Sequence, residues 1–211
     1  MPERSNAEAE CESQHGHANN LGWPTRVVTS NRSACTSRKY ARPPTFDSIP
    51  APGAIVIKLG LISDTHGLLR ASVHSAFTGV DVILHAGDVC ADDILPELNL
   101  IAPVHAVAGN CDPPGDPELP FSFEHTFENI RLHMSHGHEL GRPKPEQLLQ
   151  HYPDADIIVY GHTHRQLIFQ SAGRMAVNPG SAGPRRFDLA PSVAVMTIDD
   201  DRVAVELIEL E

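Results

Sequence analysis

Five short segments of the 211-residue chain carry side chains that bind cations or move protons. They are Ser63-Asp64-Thr65-His66-Gly67, Gly87-Asp88, Gly109-Asn110-Cys111-Asp112, Ser135-His136-Gly137-His138 and Gly161-His162-Thr163-His164. Taken singly, each carries little, because Asp-x-His occurs in loops by chance and Gly-His-x-His is only suggestive. Taken together they form a pattern, since each directly follows a short apolar run of the kind that forms a buried strand. The donors are nitrogen and oxygen with no required thiolate, which suits Mn, Fe, Zn or Co better than the all-oxygen cages of Mg or Ca. Seven or eight donors are too many for one tetrahedral ion. Two ions about 3.5–4 Å apart and sharing a carboxylate would use them all, and such pairs hydrolyse phosphate esters.

For residues spread over about a hundred positions to converge, the strands that precede them must end on one side of the fold. The apolar pattern supplies that arrangement. Strands are expected at Ile55–Ile62, Val80–Leu84 and Val104–Val107, with helical segments at Leu68–Phe77 and Asp92–Leu98 between them. This βαβαβ order is the grammar of a parallel sheet, whose strand C-termini line the ligand crevice. Next come a hairpin of Phe121–Phe127 with Ile130–Met134, a helix at Glu146–His151 and a buried strand at Ile157–Tyr160. Short strands at Leu167–Gln170, Met175–Val177, Val193–Ile198 and Val203–Ile208 complete a second, strand-rich sheet in the C-terminal half. Asp64 and His66, like His162 and His164, are two residues apart, so both members of each pair face the crevice if the strand pleat runs on into the loop. Glycines at 67, 87, 109, 137 and 161 allow tight turns and close backbone approach beside the donors.

Composition narrows the function further. With 16 basic against 27 acidic residues the formal charge is −11, a poor basis for gripping extended nucleic acid. The longest apolar stretch, Ala54–Ile62, is interrupted by Lys58 and falls far short of the roughly 20 residues of a membrane span. Glu3, Glu8, Glu10 and Glu12 crowd the start with no apolar segment behind them, so no secretory leader is visible and a cytoplasmic setting is the expectation. Four cysteines without Cys-x-x-Cys spacing do not make a disulfide framework. Residues 1–53 are rich in Ser, Asn, Arg and Pro and lack apolar periodicity, so they are expected to be a disordered or loosely attached extension, with one domain over 54–211. No phosphate-binding G-x-x-x-x-G-K-[ST] loop is present.

The blocks Asp64-Thr-His66, Gly87-Asp88, Gly109-Asn110-Cys111-Asp112, His136-Gly-His138, Gly161-His162-Thr-His164 and Asn178-Pro-Gly-Ser181 resemble the calcineurin-like metallophosphoesterases, and among them the small bacterial and archaeal phosphodiesterases. The resemblance spans about Ile55 to Glu211. It implies an α/β fold, a four-layer αββα sandwich of two mixed sheets flanked by helices. It also implies a dinuclear centre in which Asp64, His66 and His164 hold one divalent ion, Asn110, His136 and His162 hold the other, and Asp88 bridges them. Mn2+ is the expected metal, with Zn2+, Fe, Co2+ or Ni2+ as alternatives. Asn110 and His136 would be the catalytic side chains, a water shared by the ions the nucleophile, and a small phosphate ester the substrate. Cys111 departs from larger relatives, which place His after the Asn as a proposed general acid, and leaves protonation of the leaving group unassigned.

Lesser roles stay open between two readings. His138 either orients a ligand or substrate or is structural, Asp112 more readily braces the Asn110 loop than binds metal, and Arg185 and Arg186 either meet a phosphate or pair with carboxylates. His74, His85, His105, His125, His133 and His151 read as structural. A homo-oligomer is compatible with the sequence. The competing function is a non-catalytic scaffold on the same fold, like the retromer subunit that resembles this group. The chelating identity of all seven donor positions weighs against it.

Overall fold

The computed structural model describes residues 56–186, 188–200 and 202–211; the expectation for residues 1–53 lies outside the described residues. β1 (Val56–Ile62) illustrates why the chain folds as it does. It is the middle strand of a five-stranded sheet, parallel to β2 (Val82–His85) and antiparallel to β9 (Ser192–Asp199). Its alternate residues face different layers. Leu59 and Leu61 pack into the core between the two sheets, while Ile62 joins the outer cluster with Val73 and Phe77 of the α1 (Ala71–Ala76) region. Gly60 lies on that outer side, where an added Cβ would meet the Phe77 ring at 3.1 Å.

The first sheet runs β10 (Arg202–Glu209), β9, β1, β2, β3 (Val104–Ala106). Its outer face is covered by α1 and α2 (Ile94–Leu98) through Val73, Ile94 and Leu98. The second sheet runs β4 (Ser122–Phe127), β5 (Ile130–Ser135), β6 (Ile157–Val159), β8 (Arg174–Asn178), β7 (Leu167–Ser171). Helix α3 (Pro145–His151) covers its outer face, with Leu148, Leu149, Ile158 and Ala176 in one cluster. Between the sheets lies the largest apolar layer, built from Leu59, Leu61, Val82, Leu84, Leu132, Met134, Val159, Val177 and Met196 among others. These are the four layers of an αββα sandwich of two mixed sheets.

The structure corrects one expectation. The C-terminal strands do not all belong to the second sheet, because β9 and β10 return to the first and extend it beyond β1. Their alternation of apolar and polar residues specifies a one-sided strand but not which sheet edge receives it. The antiparallel partner is fixed by the register that puts Met196 beside Leu59 and Ala194 beside Leu61, all of them in the inter-sheet layer or at its margin. Each sheet therefore keeps a parallel trio, β1-β2-β3 and β5-β6-β8, whose C-terminal ends carry the donor segments.

Candidate metal centre

The segments that follow β1, β2, β3, β5 and β6 meet across the two sheets. Asp64 Oδ1 lies 3.1 Å from His164 Nε2, and His66 Nε2 lies 3.3 Å from the same nitrogen. Asp88 Oδ2 sits between two histidines, 3.6 Å from His66 Nε2 and 3.5 Å from His136 Nε2. Asn110 Oδ1 is 3.2 Å from His136 Nε2. The His162 ring lies 5.2 Å from that of His136, and its backbone N–H donates to Asp64 Oδ2 at 3.2 Å. Donor atoms of Asp64, His66 and His164, and separately of Asp64, Asp88 and His136, lie within 4.8 Å of one another. All seven residues that the resemblance implies as ligands are thus brought into one neighbourhood.

Their aim, however, does not come from a continued pleat. Asp64, His66, Asp88, His162 and His164 all have positive φ, between 46° and 65°. Left-handed backbone at a non-glycine residue costs about 1 kcal/mol or more and is uncommon. Five such residues at one site mean that the surrounding structure holds them there, a form of strain that collects at functional sites. The i, i+2 pairs converge because tight left-handed turns redirect the chain, so the expectation of pleated pairs is right about proximity and wrong about its cause.

The surrounding hydrogen bonds show how the turns are held. Asp112, expected as a brace, accepts from the backbone N–H groups of Asp88 (2.9 Å), Gly109 (2.7 Å) and Cys90 (2.8 Å), tying the loops after β2 and β3 together. Asn178 donates to Gly161 O (2.7 Å) and Thr163 Oγ1 (3.1 Å), and so fixes the loop bearing His162 and His164. Ser181 Oγ donates to Asp64 O at 2.9 Å, and Ser63 Oγ to Asp64 Oδ2 at 2.6 Å. Sequence reasoning missed Ser63 as a partner of Asp64, although its place at the end of β1 was a signal. Gly109 and Gly161 are required for close approach: a Cβ on the first would run into the Asp88 carboxylate, and on the second into Ser63 Oγ.

Several features fit this donor set to cations. Asp64 is fully buried, and although its Oδ1 lies 3.1 Å from His164 Nε2 it makes no hydrogen bond of proper geometry, which is unusual for a buried carboxylate unless a cation is received there. Burial works to raise the Asp88 carboxyl, but the His136 imidazole and the Cys111 N–H, at 2.8 Å from Oδ1, overcome it and hold the group well below the usual carboxylate range. Burial likewise disfavours charge on His136, and Asp88 with Asp64 outweighs it, so that imidazole is raised. A proton on His136 thus occupies a place where negative potential favours a cation. Elsewhere in the cluster burial prevails: His66 is lowered by burial and then by Arg186, and His162 by burial and then by His136. The nitrogen lone pairs that metal binding needs are favoured.

At the rim, His138 lies 5.4 Å from the His136 ring and 6.3 Å from the His162 ring, with Glu139 Oε2 at 3.9 Å from its Nδ1. Arg185 and Arg186 line a shallow depression with His164 and Ser181, and the electrostatic effect of Arg186 reaches His66 and Cys111. A groove of about 550 Å³ lined by Glu124, His133, Tyr152 and neighbours shares none of the donor residues. Among the described residues no helix is long and apolar enough to cross a membrane.

Known proteins resemble the chain in sequence and in fold. The family model for the calcineurin-like phosphoesterase superfamily domain matches residues 57–201. A protein named a probable metallophosphoesterase from Methanothermobacter thermautotrophicus is 40% identical over 158 residues, covering 71% of this chain and 91% of its own. The chain belongs to the calcineurin-like phosphoesterase superfamily, a family of metal-dependent hydrolases. Solved structures share the fold. Vacuolar Protein Sorting 29 from Cryptosporidium parvum has a TM-score of 0.63 at 24% identity, covering 74% of this chain and 98% of that one. A structure described as a novel archaeal phosphodiesterase has a TM-score of 0.60 at 19% identity, covering 72% and 100%.

Proposed function

We propose that the protein is a phosphodiesterase that hydrolyses a small phosphate ester with two divalent cations, Mn2+ foremost. The observation that carries this reading is the convergence of seven nitrogen and oxygen donors on a buried carboxylate that faces two histidines. Asp64, His66 and His164 would hold one ion and Asn110, His136 and His162 the other, with Asp88 serving both. When bound, such a pair neutralises the phosphoryl oxygens and lowers the pKa of water toward neutrality. The protein prepares its donors for this. His136 donates Nδ1–H to Ala86 O at 2.7 Å, which leaves Nε2 as the free lone pair of the neutral ring. Cys111 N–H fixes Asp88 Oδ1, which leaves Oδ2 turned toward His66 and His136. His138 and Arg185 stand at the rim, where an ester's non-bridging oxygens and substituents would lie. An acidic domain and two unpaired thiols, Cys90 and Cys111, suit a small substrate and the reducing cytoplasm.

The likeness to Vacuolar Protein Sorting 29 favours a second reading, an assembly scaffold on the same fold. The intact donor set supports catalysis over it. The test is a panel of phosphate monoesters and diesters assayed on Mn-loaded protein. Diester turnover that chelator abolishes and Mn2+ restores is the expected result. A chain that binds two ions yet turns over no ester would favour the scaffold.

A further inference from the structure

A second cluster of ligand atoms lies on the outer side of His66. The His66 ring points Nε2 inward, toward His164 and Asp88, and Nδ1 outward, 3.7 Å from Cys90 Sγ. Cys111 Sγ completes the group, with all three donor atoms within 4.8 Å of one another. Both cysteines are free and exposed, so the cluster is open to ions from solution. Nothing in the family reading uses Cys90, and Cys111 stands there only as a departure from larger relatives.

The geometry is close to that of a tetrahedral site. Zn–S bonds of about 2.3 Å and Zn–N bonds of about 2.0 Å place neighbouring donors roughly 3.5–3.8 Å apart. The pair Cys90 Sγ and His66 Nδ1 already has that spacing, and Cys111 Sγ, on an exposed side chain, lies within 4.8 Å of both. The position of Cys90 is held rather than incidental. Its backbone has φ of +63° and its N–H donates to Asp112 Oδ1 at 2.8 Å, so the same carboxylate that ties the inner loops together also presents this thiol.

We propose that Cys90 Sγ, Cys111 Sγ and His66 Nδ1 form an outer metal site for a thiophilic divalent cation such as Zn2+ or Cd2+, with a fourth position left to water. Two thiolates select such ions over Mn2+ more strongly than the nitrogen and oxygen donors inside. Binding releases two thiol protons to solvent and uses the neutral His66 tautomer that carries its proton on Nε2. An inner cation at Nε2 requires the opposite tautomer. The outer ion and the inner cation held by His66 therefore compete for one ring, and by linkage each weakens the other.

The test is a Cd2+ titration of the chelator-stripped full-length protein in a Cys11→Ser/Cys35→Ser background, followed by ultraviolet thiolate-to-cadmium absorption and cadmium-113 NMR. The inner donors include no thiolate, so this absorption reports the outer site alone. The expected result is an absorption that saturates at the amplitude of two thiolates per chain, with a cadmium resonance downfield of those from nitrogen–oxygen sites. Cys90→Ser or Cys111→Ser is expected to cut the amplitude at least in half and raise the midpoint tenfold or more. His66→Gln should leave the amplitude and raise the midpoint by a similar factor. Absence of the absorption at three equivalents of Cd2+, or its persistence in the Cys90→Ser/Cys111→Ser double variant, would overturn the site. An unmoved midpoint in His66→Gln would remove His66 from it. None of these readouts involves ester hydrolysis, so failure here and failure of the phosphodiesterase reading are told apart.

Discussion

Replacing Asp88 by Asn tests the centre at the point where its two halves meet. The substitution keeps the shape of the side chain and the acceptor for Cys111 N–H, but it removes the charge that faces both His66 and His136 at 3.5–3.6 Å. A pair of unit charges at that separation interacts by about 5 kcal/mol at an effective dielectric constant of about 20. Desolvation of the buried groups offsets part of this, so a net effect on the order of 2–3 kcal/mol is the reasonable expectation for the metal-free chain. Without that charge, the raised His136 imidazole should fall toward or below its ordinary value. With cations the effect grows, because each ion loses an anionic ligand. The metal count should drop from two per chain to one or fewer, and diester turnover by roughly 10³-fold or more, since nucleophile activation and charge neutralisation are lost together. Elemental analysis of the Mn-loaded variant, turnover of an activated aryl diester and NMR titration of His136 in the stripped protein read the three effects. A variant that holds two Mn2+ and turns over within threefold of the parent would refute the shared role of Asp88.

Three further expectations concern other residues. His85 is fully buried and accepts or donates to Thr65 Oγ1 at 3.0 Å, and burial pushes its pKa down to about 4. The unfolded chain takes up that proton near pH 6.5, so stability present above pH 6.5 is lost as pH falls toward 4, by about 2 kcal/mol at pH 5. His85→Gln should flatten this acid limb in urea unfolding of the metal-free chain at pH 5 and 7.5, and equal losses in both proteins would count against the assignment. Cys111→His places an imidazole beside Asn110, whose Nδ2 is 3.3 Å from the present sulfur. If the parent lacks a general acid, alkyl diesters should be slow relative to aryl diesters and the substitution should flatten the dependence on leaving-group pKa, because such assistance is typically worth about 10²–10⁴-fold; an unchanged slope would mean that another group supplies the proton. A chain beginning at Val56 should fold and remain active, because among the described residues β1 through β10 form two five-stranded sheets with their apolar layers; loss of solubility and turnover on that truncation would place the domain boundary earlier.

The local sequence determined much of this protein. Runs of alternating or continuous apolar residues fixed ten strands and three helices to within a few residues, because periodicity reports directly which faces of a segment are buried. Candidate donors were legible for the same reason, since each donor segment follows a strand whose C-terminal end was expected to line a crevice, and the resemblance to the family narrowed them to the seven proposed ligands. Tertiary structure decided what periodicity does not encode. That β9 and β10 return to the first sheet depends on pairing with residues more than a hundred positions earlier. The aim of Asp64, His66, Asp88, His162 and His164 depends on left-handed turns held by Asp112, Asn178 and Ser181, partners that lie in other segments. Cys90 gave no signal in a sequence without Cys-x-x-Cys spacing, and it reaches His66 and Cys111 only because the loops after β1, β2 and β3 close on one another. A side chain's type is local information, whereas its direction and its company are set by hydrogen bonds and packing between distant segments.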